Sequence, residues 1–241
     1  MQEVPNKPIL QEYKSTLKGM LKFEIISFLG RVFLSHLPSR TPNFHKLNTK
    51  GEKNYLNLGC GNQFRQVMGG GGHNIINADF FSHLKPYKTY SLPMPQWQLD
   101  LRYPLQCPSH TFDGVFSEHT LEHLYIDDAI ALLREIFRIL KPNGTIRLSV
   151  PDLELNIQQY LNAKKQDSTQ RALASEYIRK LTQEYLHLSV WDYDRLAYTL
   201  EAVGFVDIQR SSFNNGRNTL LLFDAKERSF SSLYIEASKP L

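Results

Sequence analysis

The sequence predicts an α/β fold: a doubly wound, mainly parallel sheet with an N-terminal helical appendage. Three observations predict it. Short apolar segments alternate with helix-period segments, the pattern of a parallel sheet covered on both faces. The first such segment runs straight into a glycine loop, "YLNLGCGNQ" at residues 55–63. An acid, Asp79, closes the second segment about 20 residues beyond that loop.

The elements follow in order. Residues 21–37, "LKFEIISFLGRVFLSHL", are the most apolar stretch. Glu24 and Arg31 interrupt it, so it falls short of the ~20 apolar residues a membrane span needs. Its apolar residues lie nearly all round a helical wheel. That predicts a helix buried against the main domain or a partner subunit. The alternative is a membrane-surface helix with Lys18 and Lys22 at the headgroups. The N-terminus lacks the charge–apolar–small order of a signal peptide. Pro38, Pro42 and the polar run to Lys53 read as a linker. Residues 1–50 are therefore expected to form a helical segment and linker, and 51–241 the main domain.

"NYLNLG", "NIINADF", "FDGVFSE" and "TIRLSV" read as four strands, and "FVDIQR" and "SLYIEAS" as two more. The last two have a short connection and are expected to pair antiparallel. "YIDDAIALLREIFRIL" is a helix, with Ile126, Ile130, Leu133, Phe137 and Leu140 at helical spacing. Asp127 and Asp128 suit its positive N-terminal end. Lys141-Pro142-Asn143-Gly144 stops it. "DYDRLAYTLEAVGF" is another helix, capped by Asp192 or Asp194 and ended by Gly204. Residues 152–190 are helical and charged, and read as an insertion over the strand ends, where open α/β sheets bind ligands.

Composition narrows the function. A chain of 241 residues with 41% hydrophobic and 22% charged residues is long and apolar enough for one full core. Its net charge of +4 lacks the dense basic stripe of a nucleic-acid binder. Cys60 and Cys107 fit a reducing compartment and no disulfide framework. The expected location is cytoplasmic, with membrane-peripheral contact through the first helix as the variant.

Gly59 and Gly61 lack Cβ atoms at the carboxyl end of the first strand, so a ligand can press on the backbone there. Asp79 stands where an acid accepts hydrogen bonds from ribose hydroxyls. Together they point to an adenosine-containing ligand. A dinucleotide fingerprint would need a third glycine, and "GCGNQFRQ" lacks it before the glycine run Gly69–Gly72.

"LNLGCG", "NADF", "QLDLRYPL", "FDGVFSEHTLEHL" and "LREIFRILKPNGTIRLSVPDLE" resemble the successive motifs of class I S-adenosylmethionine-dependent methyltransferases. The nearest likeness is to a bacterial subgroup with an "EHxLEH" segment, associated with polysaccharide biosynthesis. The resemblance is strong over residues 54–160 and looser over 187–241. It implies a Rossmann-like sheet of the seven-stranded type and S-adenosylmethionine as cofactor. Carried over by position, Gly59 and Gly61, with Asn57 and Cys60 in the same loop, line the methionine part. Asp79 holds the ribose, and Asp100 with Leu101 meets the adenine. Glu118 and His119 lie near the sulfonium. Asn57 replaces the acid common in the first motif. Cys60 reads as small packing rather than a nucleophile.

His119-Thr-Leu-Glu122-His123 also matches H-x-x-E-H, an inverted zinc-protease pattern. That chemistry needs both histidines on one helix face, whereas His119 follows a strand directly; no metal is expected. His119 is the leading candidate to take a proton from an acceptor hydroxyl. His123 reads as structural, packed under the following helix. Asp152 is a second candidate base or a helix N-cap, and His187 could reach over from the insertion.

The expected function is O-methylation of a sugar, a polysaccharide precursor or a small metabolite. The alternatives are an RNA acceptor, a methyltransferase-like module that binds without turnover, and a nicotinamide oxidoreductase. Expected partners are a small-molecule or glycan acceptor, with membrane or homo-oligomer contact through the N-terminal helix.

Overall fold

The computed structural model describes residues 41–44, 47, 52–61, 63, 73–80 and 95–241, together with Leu21 and Ile25. The rest of the expected N-terminal helix, the segment after the glycine loop and Gly69–Gly72 lie outside the described residues. Leu21 and Ile25 are helical and exposed. Among the described residues, no helix is long and apolar enough to cross a membrane.

Seven strands form one sheet: β1 (Lys53–Leu58), β2 (His73–Asp79), β3 (Trp97–Gln98), β4 (Phe112–Glu118), β5 (Leu140–Pro151), β6 (Val206–Ser211) and β7 (Ser232–Ser238). Their order is β3-β2-β1-β4-β5-β7-β6. β3 to β5 run parallel, and β7 is antiparallel to both β5 and β6. The predicted antiparallel pair is present, although residues 212–231 separate its strands and carry two short turns. The strand order reverses between β1 and β4, the switch point where open sheets leave a crevice. Leu58 pairs with Ser117 there, so the loops after β1 and β4 start side by side.

Helix α1 (Ile126–Ile139) buries Ala129, Leu132, Leu133, Ile136 and Ile139 on one stripe, the 3.6-residue pattern that faces a core. Lys141–Gly144 bulge out between two registers of the β4–β5 ladder, where Leu140 faces Phe112 and Thr145 faces Gly114. The insertion contains α2 (Leu153–Ala163), α3 (Ser168–Leu173), α4 (Glu176–Arg179) and a π-turn at Lys180–Glu184. Helix α5 (Tyr193–Val203) is capped by Asp192, whose side chain accepts from the Arg195 amide at 2.8 Å. Gly204 ends it at a φ of 113°, a left-handed position that favours glycine.

Two features of the core escape pattern reading. Phe44, in the run read as a linker, is buried and sits edge-on to Trp97, with centroids 4.9 Å apart, and to Phe112 at 6.1 Å. The packed unit therefore reaches back before residue 50. Arg147, in the middle of β5, is fully buried. Its guanidinium donates to Asp224 Oδ1 at 2.9 Å, Asp224 Oδ2 at 2.5 Å and Glu236 Oε1 at 2.9 Å, and to the Ser212 carbonyl at 2.9 Å. These bonds tie the loop after β6 onto the sheet.

Candidate active site

The glycine loop is held from below by β2. The amides of Gly59 and Cys60 both donate to the Ala78 carbonyl, at 2.8 and 3.0 Å. The Asp79 carboxylate accepts from the Gly61 amide at 2.5 Å and the Phe80 amide at 2.6 Å. Asn57 is buried, and its amide donates to the Gln63 carbonyl at 2.8 Å and to Asn77 Oδ1 at 2.9 Å. An asparagine at this position thus ties the loop's far end to its root. Cys60 is buried and in no disulfide, with its thiol 3.8 Å from the Gly61 carbonyl.

Gly59 and Gly61 adopt φ values of 72° and 54°, conformations that glycine alone takes without strain. Their surroundings differ. A Cβ on Gly59 would lie 2.0 Å from Thr120 Oγ1, so the loop presses on the turn after β4. Among the described residues, a Cβ on Gly61 would meet nothing within 4 Å.

Beyond β3, the Leu99 amide donates to the Asp79 carbonyl at 3.0 Å, which brings Asp100 and Leu101 to the same edge. Asp100 is not free to turn to a ligand unaccompanied. Arg102 Nε contacts both of its carboxylate oxygens, at 2.8 and 3.1 Å.

Glu118 ends β4 and accepts from the Ala225 amide at 2.9 Å, with Arg228 3.7 Å away. His119 then takes a positive φ of 49°, which starts the turn that carries Leu121–His123. Ser232 Oγ donates to the Arg228 carbonyl at 2.8 Å, so it accepts from His119 Nε2, 2.7 Å away. His119 Nδ1 consequently carries no proton and lies 3.3 Å from Glu122 Oε1. Burial, ahead of the charge of Arg228, pushes this imidazole down to about 2. Burial likewise pushes the Glu122 carboxyl up to about 8.

The return limb of the insertion is bolted to this turn. The amides of Leu188 and Ser189 donate to the Glu122 carbonyl at 2.7 and 3.1 Å. His187 therefore arrives with Nε2 3.9 Å from Glu122 Oε1, while its Nδ1 donates to the Leu181 carbonyl at 2.8 Å. Burial lowers its pKa. His123 packs edge-on against the His187 ring, with centroids 4.9 Å apart. Asp152 caps α2, accepting from the Leu155 amide at 3.2 Å.

The site thus couples a glycine loop at the sheet's switch point, an acid fixing that loop, and a histidine–carboxylate turn pressed against it. The seven-stranded sheet with its antiparallel β7 and this loop define the fold of class I S-adenosylmethionine-dependent methyltransferases. The chain belongs to the methyltransferase domain family, whose model matches residues 31–210. It is 28% identical over 211 residues to phosphoethanolamine N-methyltransferase 1 of Arabidopsis thaliana, a match covering 82% of this chain and 37% of that one. The chain thus spans little more than a third of that relative. Among solved structures, it is similar in fold to a possible exported protein from Bordetella parapertussis, at 14% identity and a TM-score of 0.51, covering 82% of this chain and 66% of that one. A SAM-dependent methyltransferase from Archaeoglobus fulgidus is 18% identical with a TM-score of 0.46, covering 90% of this chain and 94% of that one.

The cofactor of this family is S-adenosylmethionine, and the loop fits it. The left-handed backbone on both sides of Cys60 and the nearby Asp79 carboxylate suit a ligand with a ribose and a charged amino-acid end.

Proposed function

We propose that the domain transfers a methyl group from S-adenosylmethionine to a hydroxyl of a sugar, a polysaccharide precursor or another small metabolite. The Gly59–Thr120 contact carries this reading, because it sets the cofactor loop against the turn bearing His119 and Glu122. S-adenosylmethionine supplies an electrophilic methyl group on a cationic sulfur. The protein then has two tasks: to hold the acceptor in line and to receive its proton.

In this reading Asn57, Gly59, Cys60 and Gly61 hold the methionine part, Asp79 the ribose, and Asp100 with Leu101 the adenine edge. Glu118 braces the loop before Arg228 beside the sulfonium. His119 Nδ1 takes the acceptor's proton, and His187 is the second base. Asp152 positions α2 within an insertion, residues 152–190, that covers the acceptor. Residues 1–50 serve mainly as a docking element. The sugar class is supported by the likeness to the "EHxLEH" subgroup.

A second reading, an amine acceptor, is favoured by the match to the plant phosphoethanolamine N-methyltransferase. Incubation with methyl-labelled S-adenosylmethionine separates the two. Label in nucleotide-activated sugars supports the first, and label only in phosphoethanolamine the second. With a sugar acceptor in hand, His119→Ala is expected to lower turnover by about 10²–10⁴-fold while S-adenosylhomocysteine affinity holds.

A further inference from the structure

Glu122 is 1% exposed, and among the described residues neither of its carboxylate oxygens has a hydrogen-bond partner. His119 Nδ1 is 3.3 Å away but not aligned for a hydrogen bond. A buried carboxylate left in this way is costly and calls for an explanation. Its neighbours supply one. One donor atom each from Glu122, His123 and His187 lie within 4.8 Å of one another. Because His187 Nδ1–H is held by the Leu181 carbonyl, its Nε2 lone pair is the one left on the Glu122 side. Carbonyl-anchored imidazoles of this kind are the usual support of metal-binding histidines.

We propose that Glu122, His123 and His187 form a binding site for a divalent first-row transition-metal cation. Two imidazoles and one carboxylate suit zinc or its neighbours, whereas magnesium and calcium prefer all-oxygen sets. Ligand bonds of about 2.0–2.2 Å require donors roughly 3.3–3.6 Å apart, so the three close by about 1 Å on loading. His123 is only half-buried, which gives an ion a route in. The sequence objection to a metal was that His119 and His123 do not share a helix face. It does not apply here, because the second imidazole comes from the insertion.

Three protein donors leave a coordination position open. Thr120 sets this turn against the cofactor loop, so an ion here lies where a Lewis acid can polarise an acceptor oxygen. The site itself does not depend on which acceptor is methylated.

The test uses the full chain stripped with EDTA and titrated calorimetrically with Zn²⁺, with Mg²⁺ in parallel and Co²⁺ followed by visible absorption. The expected result is saturable uptake of one Zn²⁺ per chain and a tetrahedral-type Co²⁺ spectrum. Glu122→Gln and His187→Ala are each expected to weaken affinity by more than the ~10–100-fold that loss of an outer-shell partner costs. Circular dichroism checks that the variants fold. If His187→Ala does not, the isosteric Glu122→Gln decides. The proposal is overturned if the folded wild type shows no saturable Zn²⁺ uptake, if Mg²⁺ saturates it in place of Zn²⁺, or if Glu122→Gln binds Zn²⁺ as tightly as wild type.

Discussion

Gly59 and Thr120 are in contact so close that no side chain fits between them: a Cβ on Gly59 would lie 2.0 Å from Thr120 Oγ1 and 2.7 Å from its Cγ2. The cofactor loop and the histidine-bearing turn are therefore one packed unit. Gly59→Ala is expected to cost about 1–2 kcal/mol for the left-handed backbone and about 1–3 kcal/mol for the collision. Adding Thr120→Ala removes the two nearest contacts and should restore part of that loss. Denaturant unfolding of the two single variants and the double variant measures this coupling. Strictly additive effects would mean that the two residues do not meet.

Phe44 anchors the segment before β1 between Trp97 and Phe112. Phe44→Ala is expected to destabilise the domain by about 3–5 kcal/mol, the usual cost of emptying a buried aromatic site. A truncation starting at residue 41 should accordingly melt well above one starting at 51. Equal melting temperatures would count against the packing.

Arg147 is paired with Asp224 and Glu236 in full burial. Arg147→Ala would leave Asp224 without its cation and Glu236 with only the less buried Arg217, 3.8 Å away, and a loss of about 3–5 kcal/mol is expected. The Arg147→Met/Asp224→Asn/Glu236→Gln triple variant should recover much of it, because it leaves none of these three buried charges unpaired, and the partner it takes from Arg217 belongs to a third-exposed side chain, 35%. Chemical denaturation compares the two, and a triple variant no more stable than the single one would contradict this reading.

Burial pushes the Cys107 thiol up to about 11. Above a pH of about 9 the unfolded chain releases a proton that the folded chain keeps, so this group favours unfolding as pH rises from 9 towards 11. Below that window it contributes nothing. Cys107 should resist alkylation in the native protein at pH 8 and react once the chain is unfolded. Peptide mapping after alkylation shows which holds.

Most of the sheet is legible in the sequence, because strands buried on both faces read as apolar runs. The edges are less so. β3 is two residues long, too short for any period. Phe44 is a lone aromatic in a polar run, and only the cavity between Trp97 and Phe112 gives it meaning. Arg147 resembles a solvent-facing residue in "TIRLSV", since its acids lie far along the chain at Asp224 and Glu236. The glycine loop and Asp79 are legible because neighbouring parallel strands place their ends together. The gathering of His187 onto Glu122 is not. It depends on how the insertion returns, which no local pattern encodes. A capping role for Asp152 is readable from its place before "LELN", and its side chain accepts from the Leu155 amide there.

The most direct test of the account is calorimetric titration of S-adenosylhomocysteine into the wild type and Asp79→Ala. Asp79 fixes the Gly61 amide from the end of β2 and stands where ribose hydroxyls would bind. Two charge-assisted hydrogen bonds to the ribose would be lost, each worth about 1.5–3 kcal/mol, so the wild type should bind one equivalent and the folded variant should bind about 10²–10⁴-fold more weakly. A folded wild type that does not bind S-adenosylhomocysteine, or a variant that binds it equally well, would contradict the assignment of this loop as the cofactor site.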